Sequence, residues 1–208
     1  MASSTASAER LVGKLRPFIG DERVLAAITA VPRHLFVPAA LSRFAWENTA
    51  LPIGAGQTIS QPVVVARMCE LLELRGDEQV LDVGTGSGYH AAVLAHLARE
   101  VWSIERKPKL AEQARRNLVA AGIENVHVVV GDGSRGWPEQ APFDAINVAA
   151  TAHEVPAALE EQLADGGRLV APIDSGDQRL LLERRRGGTL ERTYLEPVRF
   201  VPLVGDGD

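Results

Sequence analysis

The stretch Gln79-Val80-Leu81-Asp82-Val83-Gly84-Thr85-Gly86-Ser87-Gly88-Tyr89 constrains the fold more than any other part of the chain. An apolar run carrying one acid breaks into three glycines at alternate positions, and a helical pattern follows from Tyr89 to Ala98. Strand, glycine turn and helix, in that order, is how an open α/β sheet makes a ligand crevice at its carboxyl edge. Glycine lets the backbone turn tightly and lets a ligand approach without meeting a Cβ atom. The start of the helix adds unpaired N–H groups. The spacing is G-x-G-x-G. The dinucleotide fingerprint G-x-G-x-x-G would need its third glycine at position 89, which is Tyr89. The next apolar run, Val101-Trp102-Ser103-Ile104, ends in Glu105, and a third, Val126 to Val130, ends in Gly131-Asp132-Gly133. A carboxylate at position 105 can accept both hydroxyls of a ribose. Three strands ending at one sheet edge with Asp82, Glu105 and Asp132 point to a nucleoside-type cofactor, with NAD as the main competitor.

From Gln79 onward the chain alternates strand and helix. Pro108 to Ala121 reads as a helix opened by proline and closed by Gly122. Phe143 to Val148 is a fourth strand, Val155 to Leu163 a helix, and Arg168 to Pro172 a fifth strand after Asp165-Gly166-Gly167. Arg179 to Arg184 and a run within Thr189 to Phe200, joined at Gly187-Gly188, read as an antiparallel hairpin. The front of the chain differs. Glu9 to Leu15, Glu22 to Ala30 and Val63 to Leu74 are helical patterns. Leu51 to Pro62 reads as a loop, and no run between 9 and 75 is long enough to start a sheet. Such a loop inside a compact domain is usually functional or disordered. Residues 1–8, rich in Ala and Ser, are expected to be disordered and lack the basic and apolar regions of a signal peptide. Residues 9–208 are then one domain: a helical and looping cap over 9–75 and an α/β core over 76–208. The 208-residue length fits one domain with modest additions.

Charge and cysteine count narrow the function. A net charge of −5 argues against a broad nucleic-acid footprint. The single cysteine, Cys69, rules out an internal disulfide, reads as a packed core thiol and fits a reducing cytoplasm. No segment approaches the roughly 20 apolar residues of a membrane helix. Histidines at 34, 90, 96, 127 and 153 form no i,i+4 pair and no Cys/His cluster, so no metal site is expected. His90 reads as surface helix near the glycine loop, Asp144 as structural and Trp46 as a packing anchor.

The three-strand arrangement resembles the class I S-adenosylmethionine-dependent methyltransferases. Five stretches then make the whole chain similar to the protein-L-isoaspartate O-methyltransferase family: Val31-Pro32-Arg33-His34-Leu35-Phe36-Val37-Pro38, the segment Leu51 to Pro62 with Thr58-Ile59-Ser60-Gln61-Pro62, Leu81 to Tyr89, Gly131-Asp132-Gly133, and Phe200-Val201-Pro202-Leu203. The resemblance implies a Rossmann-like, doubly wound, mostly parallel sheet with helices on both faces, an antiparallel C-terminal hairpin and a helical N-terminal extension. It implies S-adenosyl-L-methionine as cofactor, held by Asp82, Gly84, Thr85, Gly86, Ser87, Gly88, Glu105, Arg106, Asp132 and Gly133. It also implies an acceptor pocket framed by Thr58, Ile59, Gln61 and Val201, with Ser60 as the catalytic residue. The implied activity is repair of damaged proteins. The α-carboxylate of an L-isoaspartyl residue is methylated and the ester collapses to a succinimide, in a cytoplasmic monomer whose partners are isoaspartyl proteins and peptides.

A carboxylate acceptor is already ionised at neutral pH, so the absence of an obvious His/Asp base pair agrees with that chemistry. Ser60 can donate one hydrogen bond without opposing the acceptor's charge. The chain departs from the family pattern at Trp46-Glu47-Asn48, where Tyr-Glu-Asp is common, at Ala55, where histidine is frequent, and in part at Asn147-Val148-Ala149-Ala150-Thr151. These departures leave two alternatives open: a tailoring methyltransferase acting on aspartyl side chains of peptides or on small molecules, and a cofactor-binding module without turnover. The intact acceptor loop argues against the second.

Overall fold

The computed structural model describes residues 2–205. Its centre is a seven-stranded sheet in the order β5-β4-β3-β6-β7-β8-β9: β3 (Gln79–Val83), β4 (Glu100–Glu105), β5 (Val126–Val130), β6 (Phe143–Val148), β7 (Leu163–Asp174), β8 (Gln178–Arg186) and β9 (Thr189–Pro197). The first five are parallel, and β8 and β9 add antiparallel edges. Val80, Leu81, Asp82 and Val83 are all buried, which is why β3 reads as a run rather than an alternation: a central parallel strand is covered on both faces.

The two faces are clothed differently. One carries the N-terminal helices α1 (Ala2–Leu15), α2 (Glu22–Ala30) and α3 (Pro62–Leu71), with α4 (Tyr89–Ala95). Their apolar stripes share one cluster with Val80, Val101, Ala145 and Val170 of the sheet. Helix α5 (Pro108–Ala120) packs along β4 and β5. The other face is covered by α6 (Ala157–Glu161) and short turns, around Leu81, Ile104, Ile146 and Leu159. The doubly wound, mostly parallel α/β architecture with an antiparallel C-terminal hairpin is therefore as expected.

Several local expectations change. The chain is helical from Ala2 rather than from Glu9, because Ala8, Leu11, Val12 and Leu15 form one buried stripe at helical spacing; Met1, which shared the expectation of disorder, lies outside the described residues. The segment after Leu51 is not a plain loop but a small antiparallel pair, β1 (Leu51–Gly54) and β2 (Gln57–Ile59). Its tip, Gly54-Ala55-Gly56, has φ of 94°, 52° and 73°, a left-handed turn that glycine permits and alanine tolerates poorly. Helix α6 is five residues long, since Pro156 caps its start and Leu163 already pairs with Phe143. Asp165-Gly166-Gly167 is then a bulge inside β7, where a Cβ on Gly167 would meet backbone oxygens of Ala164 and Asp144 at 2.8 and 3.0 Å. Helix α4 ends at Ala95 rather than Ala98, and α3 at Leu71 rather than Leu74.

Candidate active site

The strand order reverses beside β3: β4 and β5 lie on one side of it and β6 on the other. A crevice forms at the carboxyl ends of strands at such a switch point. Here it is a cleft of about 240 Å³. Its floor is the glycine loop, Gly84 to Ser87, with Ala149 and Ala150 beyond β6. Glu105, Arg106 and Lys107 form one side, and Gln57 to Ser60 of the β1–β2 hairpin and its exit stand across the opening. Gly133 closes the far end with the tail residues Val201 to Val204.

The loop after β3 is held by its neighbours rather than by itself. Gly84 and Thr85 N–H both donate to the Ile104 carbonyl, at 2.9 and 3.2 Å. Gly86 N–H donates to Glu105 Oε2 at 2.8 Å, and Lys107 N–H donates to Oε1 at 2.9 Å. Each carboxylate oxygen has a second lone-pair site, so Glu105 is fixed in place and still able to accept from a ligand. Of the three glycines, Gly88 does not line the cleft. A Cβ there would stand 3.4 Å from Ala114 and Leu118 of α5, so this glycine serves the packing of α4 against α5.

Asp82 also stands behind the wall, not in it. It is fully buried and accepts from Ser103 Oγ and Asn147 Nδ2, both at 2.7 Å. Burial raises its pKa, and the two hydrogen bonds oppose that shift. Thr85 Oγ1 bonds Ser103 Oγ at 2.6 Å, and Asn147 Nδ2 reaches His90 Nδ1 at 3.2 Å. A buried polar network thus ties β3, β4, β6 and the start of α4 together under the cleft. His90, read from sequence as surface helix, is 6 % exposed and lines the cleft. Its pKa is pushed down to about 3 by burial.

Asp132 likewise turns back on its own loop. It accepts from Ser134 N–H at 2.9 Å and Ser134 Oγ at 2.7 Å, and Arg135 lies 3.6 Å away. Gly133 takes its place in the wall, where a Cβ would come 2.5 Å from Val83 Cγ1. The tail is stitched over this end: Thr151 N–H donates to Val201 O at 2.8 Å, and Leu203 N–H donates to Thr151 O at 2.7 Å.

Across the cleft, Thr58, Ile59 and Ser60 are walls, whereas Gln61 caps α3 and gives its side-chain amide to the Asn48 carbonyl at 3.0 Å. The buried Arg33 holds this segment. Its Nη1 donates to Ala45 O at 2.6 Å, and its Nη2 donates to Thr49 O at 3.0 Å and Ser60 O at 3.1 Å. The guanidinium lies 5.4 Å from the ring centroid of Tyr89, a cleft wall. In the sequence Arg33 stands out only as part of a motif; the signal for its role is an arginine set in the apolar frame Val31-Pro32 to Phe36-Val37.

Of the departures from the family pattern, those at Trp46, Asn48 and Ala55 fall outside the cleft, whereas the stretch Asn147 to Thr151 supplies Ala149 and Ala150 to its floor. Asn48 Oδ1 accepts from Val63 N–H at 3.0 Å, at the first turn of α3. Glu47 pairs with Lys14 on the surface, and Trp46 packs against His34. Ala55 sits at the hairpin tip, where its carbonyl accepts from Lys107 Nζ at 2.6 Å. Cys69 is buried and burial raises its thiol pKa, as a packed thiol requires. Among the described residues no group of three or more His, Cys, Asp or Glu could hold a metal ion, and no helix is long and apolar enough to cross a membrane.

Comparison with known proteins identifies the family. Residues 6–208 match the family model described as protein-L-isoaspartate(D-aspartate) O-methyltransferase (PCMT). The chain is 57% identical over 190 residues to the protein-L-isoaspartate O-methyltransferase of Aeromonas hydrophila, covering 91% of this chain and 92% of that protein. It is 55% identical over 188 residues to the enzyme of the same name from Methanoculleus marisnigri, covering 90% and 86%. A solved protein-L-isoaspartate O-methyltransferase superposes with a TM-score of 0.87 at 32% identity, over 96% of this chain and 66% of that one. A second, from Plasmodium falciparum and in complex with S-adenosyl-L-homocysteine, superposes with a TM-score of 0.82 at 27% identity, over 97% and 98%. Matched from near its start to its end, the chain belongs to the protein-L-isoaspartate(D-aspartate) O-methyltransferase family.

Proposed function

We propose that this chain uses S-adenosyl-L-methionine to methylate the α-carboxylate of L-isoaspartyl residues, the ester then collapsing to a succinimide as the first stage of repair. The observation that carries this reading is the charge of the cleft. Glu105 is the one carboxylate among its described walls, and both its oxygens already meet backbone N–H groups. The other polar walls are the cations Arg106 and Lys107, the neutral His90 and hydroxyls such as Ser60. Such a cleft suits an anionic acceptor. It also suits a reaction that needs no base, since the acceptor is ionised before it binds and an imidazole whose pKa is pushed down to about 3 is too weak a base to take up a second proton at neutral pH.

The residues fit the cofactor. When bound, S-adenosyl-L-methionine supplies a sulfonium methyl, an electrophile that needs no acid assistance. Glu105, oriented by Gly86 and Lys107, takes the ribose hydroxyls. The loop from Gly84 to Ser87 lets backbone approach closely, and Gly133 with the tail frames the base, while Asp132 fixes the turn that carries Gly133. Asp82 and Gly88 act from behind, by fixing the strand and the helix that carry this loop. On the acceptor side, Ser60 donates to the carboxylate. Thr58, Ile59 and Val201 shape the pocket, and Gln61 holds the hairpin to α3. Orientation and exclusion of water are the work left to the protein. The departures at Trp46, Asn48 and Ala55 lend the tailoring alternative no support, because their contacts lie away from the cleft. An isoaspartyl peptide incubated with enzyme and cofactor is expected to gain one base-labile methyl ester by mass spectrometry and then to lose methanol as the succinimide forms. A stable ester, or methylation at another group, contradicts the proposal.

A further inference from the structure

The buried network under the cleft fixes the protonation of His90. Asn147 Nδ2 faces Asp82 Oδ1 at 2.7 Å, so the amide nitrogen is turned toward the acid and its oxygen away. The same nitrogen reaches His90 Nδ1 at 3.2 Å. An amide nitrogen can only donate, so Nδ1 is the acceptor. The imidazole proton therefore sits on Nε2, where the described residues offer no acceptor: Nε2 is a buried donor without a partner, on a side chain that forms part of the cleft wall. Leaving a buried N–H unsatisfied is costly, and native proteins seldom do so without a reason.

From this geometry we infer that His90 Nε2–H is a ligand-recognition group that donates to a carboxylate bound in the cleft. The inference rests on the proposed function for its two candidate sources. One is the amino-acid carboxylate of S-adenosyl-L-methionine and the other is the acceptor carboxylate; both are carboxylates, and both belong in the cleft that His90 lines together with Ser60, Val65 and Ala149. A neutral imidazole suits the task. It donates without forming an ion pair, so the ligand is oriented while the acceptor oxygens stay nucleophilic. Asp82 reaches His90 only through Asn147, so its role toward the ligand is one of positioning.

The test compares His90→Leu, which removes the donor, with His90→Gln, whose amide nitrogen can occupy the place of Nε2. Calorimetry gives the affinity for S-adenosyl-L-homocysteine and for methylthioadenosine, which lacks the amino-acid carboxylate; steady-state kinetics give KM and kcat for an isoaspartyl peptide. Losing a hydrogen bond to a charged group is expected to cost about 10- to 100-fold. If the cofactor carboxylate is the partner, His90→Leu weakens S-adenosyl-L-homocysteine by that factor and leaves methylthioadenosine unchanged. If the acceptor is the partner, both nucleosides bind as in wild type and the loss falls on kcat/KM for the peptide. In either case His90→Gln restores most of it. Nitrogen-15 spectra of the wild-type imidazole add a reading that needs no variant: the Nε2–H tautomer is expected before ligand, with its proton moving downfield when the carboxylate ligand is added. The inference is overturned if all three ligands change less than twofold in His90→Leu, if His90→Gln behaves like His90→Leu, or if the imidazole signals ignore every ligand, as they would over a buried water. Wild-type methylation of the isoaspartyl peptide, measured alongside, tests the proposed function separately.

Discussion

Single side chains carry the most direct predictions. Ser60 is the one hydroxyl that the hairpin exit places in the wall, and its carbonyl is already held by Arg33. Ser60→Ala should therefore leave the loop and the affinity for S-adenosyl-L-homocysteine unchanged, while turnover on an isoaspartyl peptide falls about 10- to 1000-fold, the range for losing one positioning donor. Equal turnover for the two proteins removes Ser60 from the reaction. Glu105 accepts from the loop amides of Gly86 and Lys107, and the proposed function adds the ribose hydroxyls. Glu105→Ala should weaken S-adenosyl-L-homocysteine by at least about 10- to 150-fold, because the loop loosens at the same time. Calorimetry showing unchanged affinity contradicts that role. Glu105 was legible from sequence because an acid at the end of a second strand has few other reasons to be there. His90 was not: two residues beyond the last glycine of the loop, it carries no periodic sign that the start of α4 is buried between sheet and α3. The four residues that stand behind the wall, Gln61, Asp82, Gly88 and Asp132, show the same limit. Proximity in the motif was readable, but which side of the backbone faces the ligand was not.

Among elements, the parallel core was legible and the acceptor-side frame was less so. Val80 to Val83, Val101 to Ile104 and Phe143 to Val148 are apolar runs bounded by turn residues, and they form strands where expected. Strands β1 and β2 are four and three residues long and contain Pro52, so no alternation could reveal them. Their place is set by tertiary contacts, chiefly Arg33 and the Lys107 hold on Ala55. Arg33 spans three carbonyls on two sides of its planar fork, which a lysine's single nitrogen cannot do. Arg33→Lys is expected to destabilise the fold by about 1–3 kcal/mol, since carbonyls at Ala45, Thr49 and Ser60 lose their donor. It should also lower kcat on the peptide more than it weakens S-adenosyl-L-homocysteine. A variant with wild-type melting temperature and kcat shows that the frame does not depend on it. At the other end of the cleft, Gly133→Ala must push a methyl against Val83 in the central strand. Overpacking of this kind costs about 1–3 kcal/mol, and denaturant unfolding should show it.

The whole molecule answers to pH through its buried groups. His90 is held neutral by the fold, with a pKa pushed down from 6.5 to about 3. The unfolded chain therefore binds a proton that the folded chain refuses between those values, and stability falls as pH drops from about 6.5 towards 3, by at most about 1.4 kcal/mol per pH unit. Asp82 works in the opposite sense: its raised pKa means the folded state binds the proton more readily, so its burial costs stability as pH rises above the ordinary carboxylate range of 3.8. His90→Gln keeps Asp82 and removes only the imidazole. Its melting temperature should fall less than that of wild type between pH 7 and pH 4, and parallel curves for the two proteins contradict the burial of a neutral imidazole. At the scale of function, the proposed reading turns on acceptor choice: in a cleft of restrained charge, walled by the hairpin and the tail, the acceptor carboxylate would lie beside Ser60. The most direct measurement is kcat/KM for methyl transfer to two peptides that differ only in Asp against isoAsp. The side-chain carboxylate of Asp is displaced by one methylene from the isoaspartyl α-carboxylate, and misplacement on that scale costs on the order of 100-fold. The account predicts that the isoaspartyl peptide is favoured by at least that factor, and equal rates on the two peptides contradict it.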